Sequence, residues 1–134
     1  MISASRHIDI HADLGAVAAF VREVTNLPRW TDFFRSVGAR TGGYHAVESV
    51  VGPIATRILE SPDGGGLLCT IESIIAGVRE TATVHLLPAG DAVRVEFTIA
   101  LPDDASPGLR ARADATLADE LVRLRGICET AVRA

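Results

Sequence analysis

Hydrophobic and polar residues alternate in some parts of the chain and follow a helical period in others. Positions 2–10 alternate, which predicts a strand. Apolar residues then recur every three or four positions, which predicts a helix over 14–25 with Asp13 as its N-cap. Pro28 opens a second short helix, predicted over 27–34. Alternation returns over 35–101, and a last helical segment follows over 106–132.

Turn residues divide the region 35–101 into six strand-like runs. The connections between them are too short for crossover helices, so neighbouring strands must be antiparallel. Each run has one apolar face and one mixed face, which indicates a sheet that buries one side. The longest connection is predicted over 61–66. On the last run, the predicted inward face consists of Val93, Val95, Phe97 and Ile99.

The C-terminal helix carries the apolar stripe that such a sheet needs as a cover. Ser106 and Pro107 form its start, as N-cap and first helical residue. The stripe consists of Leu109, Ala113, Leu117, Leu121, Leu124 and Cys128. We predict a single domain over 1–134 of the α+β class. It has a seven-stranded curved antiparallel sheet around a long C-terminal helix, and two short helices follow the first strand.

Composition and charge narrow the choice of partners. The formal net charge is −4 and no basic patch is clustered, which disfavours nucleic acid. No apolar run reaches the roughly 18 residues of a membrane span, and no signal peptide is recognisable, so a cytoplasmic location is expected. Cys69 and Cys128 lack neighbours at metal-ligand spacing and are expected to be buried, reduced thiols. We expect no metal and no cofactor, and homodimerisation is left open.

Four segments carry a recognisable pattern: the run N-L-P-R-W at 26–30, V-G-P at 51–53, the strand–turn–strand run P-x-G-D-x-x-x-V-x-F-T at 88–98, and the helix end at 119–129. Together they resemble the START-like (SRPBCC) helix-grip superfamily, in particular its polyketide cyclase/dehydrase-like branch. One segment departs from the branch, because 66–70 reads G-L-L-C-T where the branch often has G-V-L-D-H. A function that needs that Asp or His is therefore not implied here.

The resemblance implies a cavity between the sheet and the long helix that holds a small hydrophobic molecule. The candidate lining consists of residues on the predicted inward faces of the strands and the long helix, together with the aromatic residues of the second short helix. The predicted ligand-binding residues are Trp30, Phe33, Phe34, His45, Val47, Ser49, Cys69, Ile71, Ser73, Val84, Val95, Phe97, Ala113, Thr116 and Leu117.

Acid–base candidates near such a cavity are few. His45 shares the face of Val47, Glu80 lies at the start of an inward face, and Glu120 flanks the helix stripe. On the outer face of the sheet, we expect Glu72 to form a cross-strand surface pair with neighbours such as Arg57, and His85 to face solvent.

Three functions remain open at this stage. The first is binding of a lipid-like or polyketide-like molecule without catalysis. The second is a cyclase or dehydratase-like enzyme, which would need two of the three acid–base candidates to converge on the cavity. The third is a protein-interaction module with a filled core, which a pocket well below about 300 Å³ would favour.

Overall fold

The structure, a computed structural model, describes residues 2–133. The elements in chain order are β1 (Ile2–Ile10), α1 (Leu14–Val21), α2 (Leu27–Trp30), β2 (Phe34–Thr41), β3 (Tyr44–Ser49), β4 (Gly52–Asp63), β5 (Gly66–Ile75), β6 (Val78–Ala89), β7 (Ala92–Leu101) and α3 (Pro107–Arg133). The strands form one antiparallel sheet in the order β1-β7-β6-β5-β4-β3-β2. The seven strands, the two short helices and the long last helix confirm the predicted fold.

Each hairpin from β2 to β7 has a connecting turn of two residues. The turn residues within this described region are 42–43, 50–51, 64–65, 76–77 and 90–91. Gly64 and Gly65 have φ angles of 60° and 81°, the left-handed values that a tight type I′ hairpin turn demands at both positions. The connection predicted over 61–66 is therefore shorter than expected, because β4 and β5 continue their pairing up to Asp63 and Gly66.

The two short helices end earlier than the periodicity suggests. α1 ends at Val21, and the rest of the predicted helix is a 3₁₀ turn at Val24–Asn26. α2 ends at Trp30, because Thr31 adopts an extended backbone and its hydroxyl donates a hydrogen bond to the Leu27 carbonyl at 2.8 Å. The prediction of a helix to position 34 was therefore wrong.

The helix starts differ in how they are capped. Asp13 stands at the N-cap of α1, but its side chain makes no capping hydrogen bond. Ser106 caps α3 as expected, because its Oγ accepts a hydrogen bond from the Leu109 N–H at 3.0 Å.

Two helices cover different parts of the concave face of the sheet. α1 packs on β5, β6 and β7, whereas α3 packs chiefly along β1 and also touches β7. The second half of the α3 stripe is buried, with Leu124 fully buried and Leu121 1% exposed. The first half is looser, since Leu109 and Ala113 are only half-buried. This arrangement leaves space between the start of α3 and the sheet.

The outer face of the sheet holds two groups that the sequence analysis expected in solvent. Glu72 is 4% exposed, because the Tyr44 hydroxyl donates to it and Arg57 approaches its Oε1 at 3.0 Å. The Tyr44 hydrogen bond and the Arg57 charge hold the pKa of Glu72 below its usual range. His85 is half-buried, and its Nε2 lies 3.4 Å from an Asp63 carboxylate oxygen. Glu72 therefore forms the expected cross-strand pair with Arg57 on the outer face, but it is buried rather than at the surface, and His85 is less exposed than expected.

Candidate functional site

A cavity of about 870 Å³ lies between the sheet and the first half of α3. Its walls come from β5, β6, β7 and α3, with the short segment between α2 and β2 closing one side. The lining is mostly apolar, with a few polar and charged groups among the apolar side chains. This combination is typical of small-molecule sites.

The sheet wall consists of two rows of inward side chains. Ile71 on β5 pairs with Ala82 on β6, which pairs with Ile99 on β7. The next row toward the strand ends pairs Ser73 with Glu80. All five line the cavity, so Ser73 and Glu80 form a polar row in its floor, and the apolar pair Ile75 and Val78 follows at the ends of these strands.

The helix wall is one face of α3. Its members are Leu109, Arg112, Ala113, Thr116, Leu117 and Glu120. Their spacing of one, three or four residues places them on one side of the helix. The small side chain of Ala113 stands in the middle of this face.

The predicted ligand residues divide into two groups. Those that line the cavity are Phe33, Phe34, Ile71, Ser73, Phe97, Ala113, Thr116 and Leu117. Those that lie elsewhere are Trp30, His45, Val47, Ser49, Cys69, Val84 and Val95. Whether any of them contacts a ligand stays a prediction.

Most of the second group belongs to the packed core. Cys69, Val84 and Val95 are fully buried in the same cluster as α1 residues. Trp30 is also fully buried, and its ring packs 5.2 Å from the ring of Phe97 and so supports the cavity wall from behind. Val47, 3% exposed, belongs to the same core cluster.

Two polar residues of the second group contact backbone carbonyl groups through their side chains. The Ser49 hydroxyl donates to the Gly52 carbonyl at 2.9 Å across the β3–β4 turn. The His45 ring nitrogen Nδ1 lies 3.2 Å from the Gly38 carbonyl on β2, away from the cavity lining. His45 is therefore not brought together with the other acid–base candidates, Glu80 and Glu120, which line the cavity.

Several lining residues were missed by the sequence analysis. Ile75, Ala82 and Ile99 lie on the same inward strand faces as predicted ligand-binding residues, so the alternation pattern was sufficient to predict them. Val50 and Val78 lie in or beside hairpin turns, where alternation carries no information, and are 49% and 56% exposed. They place two exposed apolar side chains at the mouth of the cavity.

Glu120 is the buried acid of the cavity. It is 5% exposed, and its Oε2 accepts a hydrogen bond from the Asp32 backbone N–H at 2.7 Å. Burial raises the pKa of Glu120 to about 7, against the lowering effect of the Asp32 hydrogen bond. A carboxyl group with that pKa can donate or accept a proton near neutral pH. Glu80, by contrast, is exposed.

The remaining polar groups have simpler roles. The hydroxyls of Thr56 and Ser73 are 2.9 Å apart and hydrogen-bonded to each other, with both residues buried. Burial raises the pKa of both Cys69 and Cys128 to about 11, so these free thiols remain protonated at neutral pH. Cys69 stands in the segment that departs from the family pattern, and its burial gives it no access to the cavity.

The fold is the START-like helix-grip fold. A START superfamily protein from Mycobacterium smegmatis superposes with a TM-score of 0.69 at 14% identity, over 96% of this chain and 97% of that one. The Aha1 dimer from Colwellia psychrerythraea gives a TM-score of 0.71 at 12% identity, over 96% and 97%. DynU16, a protein of the dynemicin biosynthetic locus, gives 0.65 at 16% identity over 96% of this chain and 48% of that longer chain.

These likenesses establish the fold and leave the activity open, because one fold hosts many functions. Neither the family models nor the curated proteins compared with the sequence give a match. Within residues 2–133, no helix is both long enough and apolar enough to cross a membrane.

Proposed function

We propose that this protein binds a small hydrophobic molecule, lipid-like or polyketide-like, in the cavity between the sheet and α3. The observation that carries the proposal is the cavity itself, about 870 Å³ in volume and lined mainly by apolar side chains. Sites for small molecules typically measure about 300–1,000 Å³. A protein-interaction module with a filled core is disfavoured by the same volume.

The character of the lining supports an apolar ligand. Phe97, Ile71 and Leu117 are at most 4% exposed, so their packing fixes the shape of the wall. A rigid apolar wall lets a ligand bury its surface without ordering many side chains, which keeps the entropic cost of binding low. The START superfamily protein and the dynemicin-locus protein share this fold, and a fold of this kind is compatible with such a binding role.

A second candidate function is a cyclase or dehydratase-like reaction in the same cavity. Glu120 favours it, because a buried carboxyl group with a pKa of about 7 suits general acid–base catalysis. His45 lies outside the cavity lining and gives it no support, and Glu80 is an exposed residue of the lining. A ligand complex in which Glu80 and Glu120 both hydrogen-bond one reacting group would favour this candidate over simple binding.

Binding can be tested without knowing the natural ligand. The neutral fluorophore N-phenyl-1-naphthylamine should bind with a stoichiometry of one per chain and fluoresce more strongly in the apolar cavity. Native mass spectrometry of the purified protein should in parallel reveal any co-purifying molecule. A folded protein that neither retains a small molecule nor enhances the fluorescence of this probe would contradict the proposal.

A further inference from the structure

The carboxylate of Glu120 is incompletely satisfied by the protein. Its Oε2 accepts one hydrogen bond, from the Asp32 backbone N–H at 2.7 Å, and no hydrogen bond of the described residues engages Oε1. An ionised carboxylate offers about four acceptor sites. The residue is 5% exposed, and its unbonded Oε1 keeps a small accessible area rather than being sealed off. Ionising a carboxylate with so few donors is costly, and a further partner at Oε1 would lower that cost. Because Glu120 lines the cavity, a ligand can supply that partner.

The charges around the cavity favour a positive partner. The acidic lining residues are Asp32, Glu80 and Glu120, and Arg112 is the basic residue of the lining. Asp32 is already neutralised in part by Arg123, whose Nη2 lies 2.7 Å from its Oδ1. When Glu120 is ionised, it and Glu80 together outweigh Arg112, whereas protonation of Glu120 leaves Glu80 and Arg112 in balance. In its ionised form the cavity attracts a cation more than an anion.

We propose that the ligand is an apolar amine, and that its ammonium group binds the carboxylate of Glu120 while its hydrophobic body fills the rest of the cavity. This proposal rests on the proposed function and specifies its ligand class. The apolar body would lie against the Ile71, Ala82 and Ile99 row, which forms the floor of the cavity.

The ionisation of Glu120 fits this role. Burial is the main cause that raises its pKa to about 7; Asp32 and Asp119 add to the rise, and the Asp32 N–H and Arg123 oppose it. A cation placed at Oε1 would lower that pKa and hold the carboxylate ionised. Charge pairing is stronger in a site shielded from water than at the surface. Amine binding should therefore weaken as Glu120 becomes protonated.

The test compares three amphiphiles that share one alkyl chain and differ in the head group. The assay measures how strongly dodecylamine, dodecanol and dodecanoate each displace N-phenyl-1-naphthylamine from the wild-type protein at pH 8, where Glu120 is mostly ionised. We expect dodecylamine to bind at least tenfold more tightly than dodecanol, and dodecanoate to bind more weakly than dodecanol. At pH 5.5 the preference for dodecylamine should fall severalfold.

Two isosteric variants identify the carboxylate responsible. Glu120→Gln keeps an acceptor for the Asp32 N–H and should bind dodecylamine and dodecanol with equal affinity, while its affinity for dodecanol stays unchanged. Glu80→Gln removes an exposed acid from the same cavity and should keep most of the preference. Circular dichroism of both variants is the control that they are folded.

The outcomes separate the two proposals. If the wild-type protein binds dodecanol as tightly as dodecylamine, or if Glu120→Gln retains the preference, the amine proposal is wrong and hydrophobic binding still stands. If Glu80→Gln instead abolishes the preference, the cation binds at the mouth and the assignment to Glu120 fails. If no amphiphile displaces the probe because the probe does not bind, the proposed function itself fails.

Discussion

Glu120 and Asp32 are joined by a 2.7 Å hydrogen bond from the Asp32 backbone N–H to the Glu120 carboxylate, which ties α3 to the segment leading into β2. One helical turn later, Arg123 pairs with the Asp32 side chain at 2.7 Å. The long helix therefore holds Asp32 by its backbone and by its side chain. Thr31, Asp32, Phe33 and Phe34 all line the cavity, so these two contacts fix one of its walls.

This relationship predicts a pH dependence of stability. In the unfolded chain Glu120 has an ordinary pKa near 4.5, whereas burial raises it to about 7 in the folded protein. The folded state therefore binds the proton more tightly. The stabilisation by this proton is complete below about pH 4.5 and is lost as the pH rises through about 7. The total effect is at most about 3.5 kcal/mol, from about 1.4 kcal/mol per pKa unit.

The variant Glu120→Gln isolates the effect of this group. We expect its free energy of unfolding to decrease less between pH 5 and pH 8 than that of the wild type, as measured by urea denaturation at both pH values. Other titrating groups affect the two proteins alike, so the difference between the two slopes reports on Glu120. Parallel pH profiles for the two proteins would show that Glu120 titrates normally in the folded state.

A second prediction concerns the close approach of two strands at Gly66. A Cβ atom at this position would lie 1.8 Å from the Leu86 carbonyl oxygen, so any side chain forces the backbones of β5 and β6 apart. We expect Gly66→Ala to lower the free energy of unfolding by about 3 kcal/mol, the upper range for overpacking. Chemical denaturation measures the loss.

Gly126 provides the control for that substitution. It is exposed on α3, and a Cβ atom there would meet nothing within 4 Å. Gly126→Ala should raise the free energy of unfolding by about 1 kcal/mol, because alanine favours the helix more than glycine does. Equal effects of the two substitutions would mean that β5 and β6 are not as close at Gly66 as described.

A third prediction compares neighbouring residues on α3. Leu121 is 1% exposed and Val122 is 51% exposed. Leu121→Ala should cost about 2–5 kcal/mol through lost burial and a residual cavity. Val122→Ala should change stability by less than about 0.5 kcal/mol, since it removes little buried surface. Similar denaturation midpoints would indicate that α3 does not present this face to the core.

The sequence predicted which face of β5, β6 and β7 points inward, and it predicted the order of the elements. It could not predict where along that face the cavity begins. Ala82 and Val84 share one face of β6, yet Ala82 lines the cavity and Val84 is fully buried with the α1 residues. The alternation of apolar and polar residues predicts which face of a strand points inward. Which helix covers each part of that face is decided by tertiary packing.

The sequence pattern also could not predict which charged groups are buried. The parity of Glu72 placed it on the outer face, where it does lie, but Tyr44 and Arg57 come from other strands to cover it. Glu120 was recognisable as a flank of the helix stripe. Its burial depends on the segment containing Asp32, 88 residues away in the chain. Contacts at that separation leave no trace in local periodicity.

The last prediction concerns Ala113, which lies half-buried in the middle of the helix wall of the cavity. Its methyl group leaves space that a larger side chain would occupy. Ala113→Phe should therefore fill part of the cavity and weaken the binding of N-phenyl-1-naphthylamine at least tenfold, while thermal unfolding shows a folded protein. Ala115→Phe is the matched control, because Ala115 is exposed on the same helix and outside the cavity lining. It should leave probe affinity unchanged.

If Ala113 packed directly on the sheet instead, the phenylalanine would overpack the core and cost about 1–3 kcal/mol without affecting binding to the folded fraction. Unchanged affinity in a fully folded Ala113→Phe protein would place the binding site away from the helix wall and remove the main support for a ligand between the sheet and α3.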